Sequence, residues 1–304
     1  MSKPIITIDH LTKDYGQNRG IFDVSLEIQE GEVFGYLGTN GSGKTTTIRH
    51  MMGFLKADSG TVTVNGLHPW EQAPQVMEHV SYIPGEIAFP DLKTGTNFFK
   101  MQAQFLGVQD FSYMNHLIDL LGLDPSANLK RMSKGMKQKT AIVAALMGDR
   151  EILILDEPTT GLDPLMRETF LELIRQEKRR GRTIFMSSHI FEEIEEVCDR
   201  VAIINNGIIQ SILNLSEFRH NSVRTFCVEF ADRTSAEAFC KHLPNSSRTN
   251  AQVTFQALAE DVNTAFHAMD GLSVLSLSES HPNLEDSFMK AIHKSTEKEA
   301  QESK

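Results

Sequence analysis

The stretch Gly38-Thr39-Asn40-Gly41-Ser42-Gly43-Lys44-Thr45-Thr46 decides the fold of this 304-residue chain. Residues 38–45 match the phosphate-binding loop pattern G-x-x-x-x-G-K-[ST]. A predicted strand, residues 32–37, precedes the loop, and a predicted helix begins at about Lys44. Glycines let the backbone turn its N–H groups toward phosphate oxygens, and the helix N-terminus adds partial positive charge. We therefore expect Lys44 to reach the β- and γ-phosphates of a nucleotide and Thr45 to bind Mg²⁺.

A short apolar run followed by two carboxylates is the second motif. Ile152-Leu153-Ile154-Leu155 is typical of a buried parallel strand, and Asp156 and Glu157 come directly after it. Ligands bind at the carboxyl ends of strands in open α/β sheets. Asp156 is expected to hold Mg²⁺, directly or through water. Glu157 is expected to accept a proton from, or to orient, the water that attacks the γ-phosphate. Without the upstream loop, two solvated acids would be an equally good interpretation.

The segment Met132-Ser133-Lys134-Gly135-Met136 opens a predicted helix, residues 136–147. A serine at a helix start offers a hydroxyl and free N–H groups to an anion, although by itself it is only a capping residue. In its place before Asp156, the segment resembles the L-S-G-G-Q signature of ATP-binding subunits of ATP-binding-cassette (ABC) transporters. Ser133 and Gly135 hold the second and fourth places, while Met132, Lys134 and Met136 depart from the pattern.

The resemblance covers about residues 3–213 and implies an α/β fold, the P-loop NTPase cassette of ABC proteins. That cassette has a mixed sheet core, an N-terminal antiparallel β part and a helical subdomain, here at about residues 90–150. We predict one domain at residues 1–213 and a small C-terminal α/β accessory domain at residues 214–304. The accessory domain includes a final predicted helix, residues 284–292, and its role is left open.

The same resemblance implies roles for further residues. Residues 38–46, Ser133 and Gly135 would contact nucleotide, and Tyr15 would stack on adenine, although a strand-end aromatic is the simpler alternative. Asp163, in the D-loop-like Gly161-Leu162-Asp163, is assigned to the nucleotide and partner contacts. His189 would contact the γ-phosphate and position the water, although a lone His after a strand is usually a surface residue. The catalytic set is then Lys44, Glu157 and His189.

One segment departs from the family pattern. The family carries a glutamine in its Q-loop, which senses the γ-phosphate and Mg²⁺. The corresponding residues here are Ser81-Tyr82-Ile83-Pro84-Gly85-Glu86. Alignment on Pro84 puts Gly85 in the place of the glutamine, while Glu86 could supply an oxygen ligand to Mg²⁺ from one residue further along. Both assignments stay open.

Composition restricts the class of function. Lys and Arg total 30 against 40 Asp and Glu, a formal charge of −10 that gives no net attraction to nucleic acid. The longest apolar runs, such as residues 141–147, fall far short of the roughly 20 residues of a membrane helix. Three cysteines without ligand spacing favour neither a disulfide scaffold nor a metal site. We expect a cytoplasmic protein held peripherally at the inner face of the membrane by a partner.

The resemblance therefore implies an ATPase that uses ATP and Mg²⁺ and forms an ATP-dependent head-to-tail homodimer on a separately encoded membrane permease. The altered signature, the Pro-Gly-Glu loop and residues 281–288 resemble the bacitracin- and daunorubicin-type drug-export ATPases. The cargo would be a drug, antibiotic or lipid-like compound, or another molecule. Two alternatives remain: a soluble ABC ATPase that acts on nucleic acid or ribosomes, and a subunit that does not hydrolyse ATP. The soluble alternative is disfavoured because the chain has a single cassette and no coiled-coil segment. A subunit without hydrolysis is disfavoured by the presence of Lys44, Asp156, Glu157 and His189.

Overall fold

A computed structural model describes residues 4–221, 224–243, 246–257, 261–280 and 285 of the chain. The chain divides into two compact units, Met1–Leu213 and Asn214–Lys304. The predicted helix at residues 284–292 and the motif at residues 281–288 lie outside the described residues, apart from Glu285. Within the described part of the chain, no helix is both long enough and apolar enough to cross a membrane.

The first unit alternates strands and helices. Its strands are β1 (Pro4–Asp14), β2 (Gly20–Gln29), β3 (Val33–Leu37), β4 (Ser59–Val64), β5 (Val80–Ile83), β6 (Ile152–Asp156), β7 (Thr183–Ser188), β8 (Arg200–Asn205) and β9 (Ile208–Asn214). Its helices are α1 (Lys44–Met51), α2 (Pro69–His79), α3 (Gly95–Leu106), α4 (Ser112–Leu120), α5 (Lys134–Leu146), α6 (Pro164–Arg179) and α7 (Phe191–Val197), with a 3₁₀ turn at Leu129–Arg131.

The central sheet has the strand order β5-β6-β7-β3-β8-β9, and the strands from β5 to β8 run parallel. Every residue of β3, β6 and β7 is buried, as expected for a parallel sheet covered on both faces. Leu37 pairs with Ser188, and Asp156 pairs with Ser187. The loops that follow β3, β6 and β7 therefore leave the sheet at the same end, the carboxyl end of its parallel strands.

A second, antiparallel sheet has the order β2-β1-β4 and forms the N-terminal β part. Alternating residues of β1 and β2 face inward, among them Ile6, Ile8, Val24 and Leu26. These side chains share one hydrophobic cluster with Ile48 of α1 and with residues of the central sheet. Helix α1, which follows the phosphate-binding loop, thus packs against residues of both sheets.

The predicted helical region, residues 90–150, contains α3, α4 and α5. The Thr94 hydroxyl caps α3 by accepting a hydrogen bond from the Asn97 N–H. Phe98 and Phe99 are buried as core residues, whereas Phe105 is 74% exposed. Leu106 takes the inward position instead, since its side chain lies against Gly148.

The second unit has the order β-α-β-β-α-β of a split βαβ motif. After α8 (Leu215–Asn221), its elements are β10 (Arg224–Phe230), α9 (Arg233–His242), β11 (Ser247–Thr249), β12 (Gln252–Ala257), α10 (Val262–His267) and β13 (Val274–Ser280). The antiparallel sheet has the order β11-β12-β10-β13. Phe226, Phe230, Phe239 and Phe255 form most of its core.

Candidate functional site

The phosphate-binding loop connects β3 to α1. The Gly38 N–H donates to the Ser188 carbonyl at 3.3 Å, and a Cβ at Gly38 would lie only 2.4 Å from the Ile204 carbonyl oxygen. Gly43 has φ +111°, a conformation that glycine adopts without steric penalty. The N–H groups of the first turn of α1 have no carbonyl four residues back to bind, so they are available to an anion.

Lys44 is buried beneath this loop. Its Nζ donates to the Gly38 carbonyl at 2.7 Å and to the Thr39 carbonyl at 3.1 Å, and it lies 3.0 Å from Oε1 of Glu157. The buried Ser42 hydroxyl has no hydrogen-bond partner within the described residues. An ammonium group and a free hydroxyl inside a glycine-rich loop fit the oxygens of a phosphate.

Asp156, fully buried at the end of β6, is bound from two sides. Its Oδ2 accepts from the Thr45 hydroxyl at 2.8 Å, and its Oδ1 accepts from the Ser187 hydroxyl at 2.7 Å. The same Ser187 hydroxyl accepts from the Glu157 N–H at 3.0 Å. Ser187 therefore connects the two acidic residues, a role that we did not assign to it from sequence.

The Thr45 and Asp156 oxygens fit a magnesium ion. Two ligands at adjacent corners of an octahedral Mg²⁺ site lie about 2.9 Å apart when each is about 2.05 Å from the ion. Thr45 Oγ1 and Asp156 Oδ2 are separated by 2.8 Å. Among the described residues, no three His, Cys, Asp or Glu side chains form a metal cluster. That is the usual case for Mg²⁺, which takes one or two protein ligands together with phosphates and waters.

Glu157 and His189 are in direct contact. Oε2 of Glu157 lies 2.6 Å from Nδ1 of His189, and Glu157 is 16% exposed. The backbone of Glu157 has φ +50°, which costs a non-glycine residue about 1–3 kcal/mol and persists only where the surrounding structure holds it in place. The Thr160 N–H donates to the Glu157 carbonyl at 3.1 Å and closes the turn after β6. The Glu157 carboxylate, a possible proton acceptor, and the His189 imidazole thus lie together beside Lys44 of the phosphate-binding loop.

The Pro-Gly-Glu segment places Gly85 against Asp156. A Cβ at Gly85 would lie 3.1 Å from Oδ2 and 3.3 Å from Cγ of that carboxylate, whereas the Glu86 side chain is exposed. Burial, followed by the charge of Asp156, raises the pKa of Tyr82 on the neighbouring strand to about 12. Whether Gly85 or Glu86 takes the place of the glutamine stays a prediction.

Tyr15 begins the turn between β1 and β2. Its N–H donates to the Arg19 carbonyl at 2.8 Å, and its ring is exposed. This turn ends beside the phosphate-binding loop, because the Gly20 carbonyl oxygen would lie 3.3 Å from a Cβ on Gly43. An exposed aromatic ring at this place is suited to stacking on a base, and that role stays a prediction.

Ser133 and Asp163 are both helix caps. The Ser133 hydroxyl accepts from the Met136 N–H at 3.2 Å at the start of α5, and Asp163 Oδ1 accepts from the Met166 N–H at 3.0 Å at the start of α6. Gly135 lets the Gly161 carbonyl approach so closely that a Cβ would lie 2.8 Å from it. The two helix starts thus meet on one exposed surface, and their roles toward a nucleotide stay predictions.

The sequence motifs do not single out Glu193, whose side chain is only 1% exposed. Its Oε2 accepts from the Thr159 hydroxyl at 2.9 Å and from the Ser188 hydroxyl at 3.0 Å, and its Oε1 forms an ion pair of 3.1 Å with Arg167. Burial raises the pKa of Glu193 more than these partners lower it. A signal was present in the sequence, because Glu193 shares one helix face with the buried Ile194 and Val197.

Comparison with known proteins gives consistent matches. The family model described as ABC transporter matches residues 21–160. The bacitracin transport ATP-binding protein BcrA of Bacillus licheniformis is 30% identical over 96% of this chain and 98% of its own length. A solved structure described as the ATP binding subunit of an ABC transporter is 30% identical, with a TM-score of 0.64, over 71% of this chain and 92% of that one. The dimeric ATP-binding cassette MJ0796, bound to ADP and Pi, is 19% identical, with a TM-score of 0.61, over 69% of this chain and 98% of its own. The predicted cassette fold is confirmed.

Proposed function

The chain belongs to the ABC transporter family as an ATP-binding subunit, and on that premise we propose that it hydrolyses ATP to drive a separate membrane-spanning exporter. The observation that carries the proposal is the contact of Glu157 with both Lys44 and His189, beside the Thr45–Asp156 pair. Export is supported by the BcrA relative, whose name describes bacitracin transport. The cargo would be a drug, antibiotic or lipid-like compound.

Each residue of the site has a separate role in ATP hydrolysis. Lys44 and the loop N–H groups bind the β- and γ-phosphates and neutralise charge that develops on their oxygens. Water attacks the γ-phosphorus, the bond to the β-phosphate oxygen breaks, and ADP and phosphate result. Glu157 accepts the proton that the water loses, and His189 orients the Glu157 carboxylate and the γ-phosphate.

Thr45 and Asp156 are the residues that would hold Mg²⁺. When bound, the ion would neutralise negative charge on the phosphate groups. The Ser187 hydroxyl keeps Asp156 oriented from the opposite side, and Gly85 leaves room for that carboxylate. Glu86 would reach the ion only if the loop rearranged, since its side chain is exposed.

We further propose an ATP-dependent head-to-tail homodimer in which Ser133 and Gly135 of one chain cover the ATP bound to the other. Support comes from the close approach of the Gly135 and Gly161 segments on an exposed surface. Leu165, in the first turn of the helix that Asp163 caps, is 70% exposed, so its side chain is available to a second subunit.

The membrane partner is proposed to dock beside the Pro-Gly-Glu segment, at the inner face of the membrane. A groove of about 360 Å³ lies between that segment and helices α3 and α5. Its lining combines apolar residues such as Ile87, Phe89 and Phe98 with polar ones such as Ser81 and Gln102, a mixed surface suited to an amphipathic segment of the partner. Contact there would connect Gly85 and Asp156 to the transport path.

The full chain, tagged and recovered with solubilised membranes from the cell that produces it, tests this function. We expect an integral membrane protein to co-purify and the complex to hydrolyse Mg·ATP. The Lys44→Ala variant should lose nucleotide binding and hydrolysis while it retains the membrane partner. Recovery of ribosomes or nucleic acid without a membrane protein would instead support the soluble alternative, and unchanged nucleotide affinity in Lys44→Ala would contradict the phosphate-binding site.

A further inference from the structure

The Glu193 carboxylate contacts three chain segments that meet behind Glu157 and His189. Thr159 belongs to the turn after β6, Ser188 is the last residue of β7, and Arg167 lies in the first turns of α6. Glu193 is nearly inaccessible to solvent, so it is placed to act on these segments rather than on a bound nucleotide.

The Thr159 contact fixes the backbone that carries Glu157. Thr159 follows Glu157 by two residues and is itself buried. Its hydroxyl donates to Glu193 at 2.9 Å, while the neighbouring Thr160 N–H donates to the Glu157 carbonyl. The positive φ of Glu157 persists only when its surroundings over-determine it, and the Thr159–Glu193 bond is one such restraint.

The Ser188 contact does the same for His189. The Ser188 hydroxyl donates to Glu193 at 3.0 Å and accepts from the Ile190 N–H at 3.0 Å. The Ser188 carbonyl accepts from the Gly38 N–H of the phosphate-binding loop. The residues on both sides of His189 are therefore held through one hydroxyl, and that hydroxyl is held by Glu193.

We propose that Glu193 is a positioning residue for ATP hydrolysis: its carboxylate fixes, through Thr159 and Ser188, the two backbone segments on which Glu157 and His189 meet. The proposal rests on the proposed function, because it assigns Glu157 and His189 to the hydrolytic step. Arg167 extends the network toward Asp163, since its backbone N–H donates to the Asp163 carbonyl at 2.9 Å. A shift of the Asp163 segment would thus reach the Glu157–His189 contact.

Steady-state hydrolysis by the full chain tests the proposal. The wild type and Glu157→Gln are measured first, to establish that turnover depends on Glu157. Glu193→Ala should then lower kcat by about 10- to 100-fold, the scale expected when reacting groups are misplaced by about 1 Å. The KM and Kd for ATP should stay within about 2-fold, the pattern for loss of an interaction that acts only in the transition state. Glu192→Ala, the same change at the exposed neighbouring position, is the matched control and should retain kcat.

Two further sets of variants separate positioning from folding. Glu193→Gln keeps an oxygen that can accept from both hydroxyls, so it should recover most of the kcat lost in Glu193→Ala. Thr159→Val and Ser188→Ala should each lower kcat with unchanged KM. If Glu193→Ala fails to fold, these two variants decide, and wild-type kcat in both would overturn the proposal.

The outcomes distinguish the two levels of the proposal. Absence of wild-type turnover, or full turnover in Glu157→Gln, would overturn the proposed function and the role of Glu193 with it. Normal wild-type turnover that is lost in Glu157→Gln, together with full kcat in folded Glu193→Ala, would overturn the positioning role alone.

Discussion

Nζ of Lys44 lies 3.0 Å from Oε1 of Glu157, so the cation of the phosphate-binding loop and the candidate proton acceptor form a largely buried ion pair. A γ-phosphate that binds to Lys44 therefore competes with Glu157 for the same ammonium group. The nucleotide would release one oxygen of Glu157 as it binds, while His189 continues to hold the other.

Glu157→Gln removes this competitor together with the proton acceptor. We expect hydrolysis to fall by about 10²- to 10⁴-fold, the usual contribution of a general base, while ATP affinity is retained or increased. Phosphate release and nucleotide titration measure the two quantities, and Glu192→Gln is the control. Light scattering should show that the variant dimerises with Mg·ATP. Hydrolysis near the wild-type rate would rule out Glu157 as the base.

Gly85→Ala and Glu86→Ala test the two assignments in the Pro-Gly-Glu segment. A methyl group at residue 85 crowds Asp156 Oδ2, so Gly85→Ala should raise the Mg²⁺ concentration needed for half-maximal hydrolysis. Glu86→Ala should leave the Mg²⁺ requirement unchanged, because the Glu86 side chain is exposed. The reverse pattern would assign the ligand role to Glu86. Hydrolysis measured over a Mg²⁺ titration at saturating ATP decides between them.

The buried Glu193 predicts a dependence of stability on pH. Burial raises the pKa of Glu193, so folding disfavours its ionised form. The contribution of Glu193 to the free energy of unfolding is therefore fully present below its pKa in the unfolded chain, and it is lost as pH rises through its pKa in the folded protein. Between pH 5 and pH 8, the melting temperature of Glu193→Gln should therefore rise relative to that of the wild type. Calorimetry of both proteins at the two pH values measures the difference. A relative fall would show that the Arg167 ion pair outweighs the burial penalty.

Tyr113 predicts a second effect, at alkaline pH. Its hydroxyl donates to the buried Glu177, which also pairs with Arg182 at 2.9 Å, and burial raises the pKa of Tyr113 to about 12. Tyr113→Phe should lower the free energy of unfolding by about 1.5–3 kcal/mol at neutral pH, since it removes a hydrogen bond to a charged group. Because the unfolded tyrosine ionises first, this difference should shrink between pH 10 and 12. Urea unfolding of both proteins measures this difference at each pH. A difference in the free energy of unfolding that stays constant between pH 10 and 12 would contradict the prediction.

The sequence motifs were sufficient to predict the strands and helices on which the site is built. The apolar run at residues 152–155 and the serine at the helix start predict β6 and α5 closely, because local pattern and burial agree there. No element was assigned to residues 59–83, where the structure has β4, α2 and β5. Pro74 interrupts the helical pattern of α2. The first residues of β4 are exposed, so that strand lacks a clear alternation of buried and exposed positions.

Side-chain partners were the part that the sequence could not supply. Ser187 and Glu193 act through contacts with residues far along the chain, and local periodicity carries no such information. The sequence pattern predicts no helix or strand at residues 214–221, for a different reason. Asn214 accepts from the N–H groups of Ser216 and Glu217 and caps α8, which a polar composition alone does not reveal.

The register of β7 against β6 limits where the chain length can change. Ser187 pairs with Asp156, and side chains alternate between the faces of a strand. Deletion of one residue inside β7 would preserve an apolar strand but turn the Ser187 hydroxyl to the opposite face, and Asp156 and Glu157 would lose their shared partner. Among related sequences, we expect insertions and deletions to be excluded from Thr183–Ser188 and to accumulate in exposed connections such as residues 107–111 between α3 and α4.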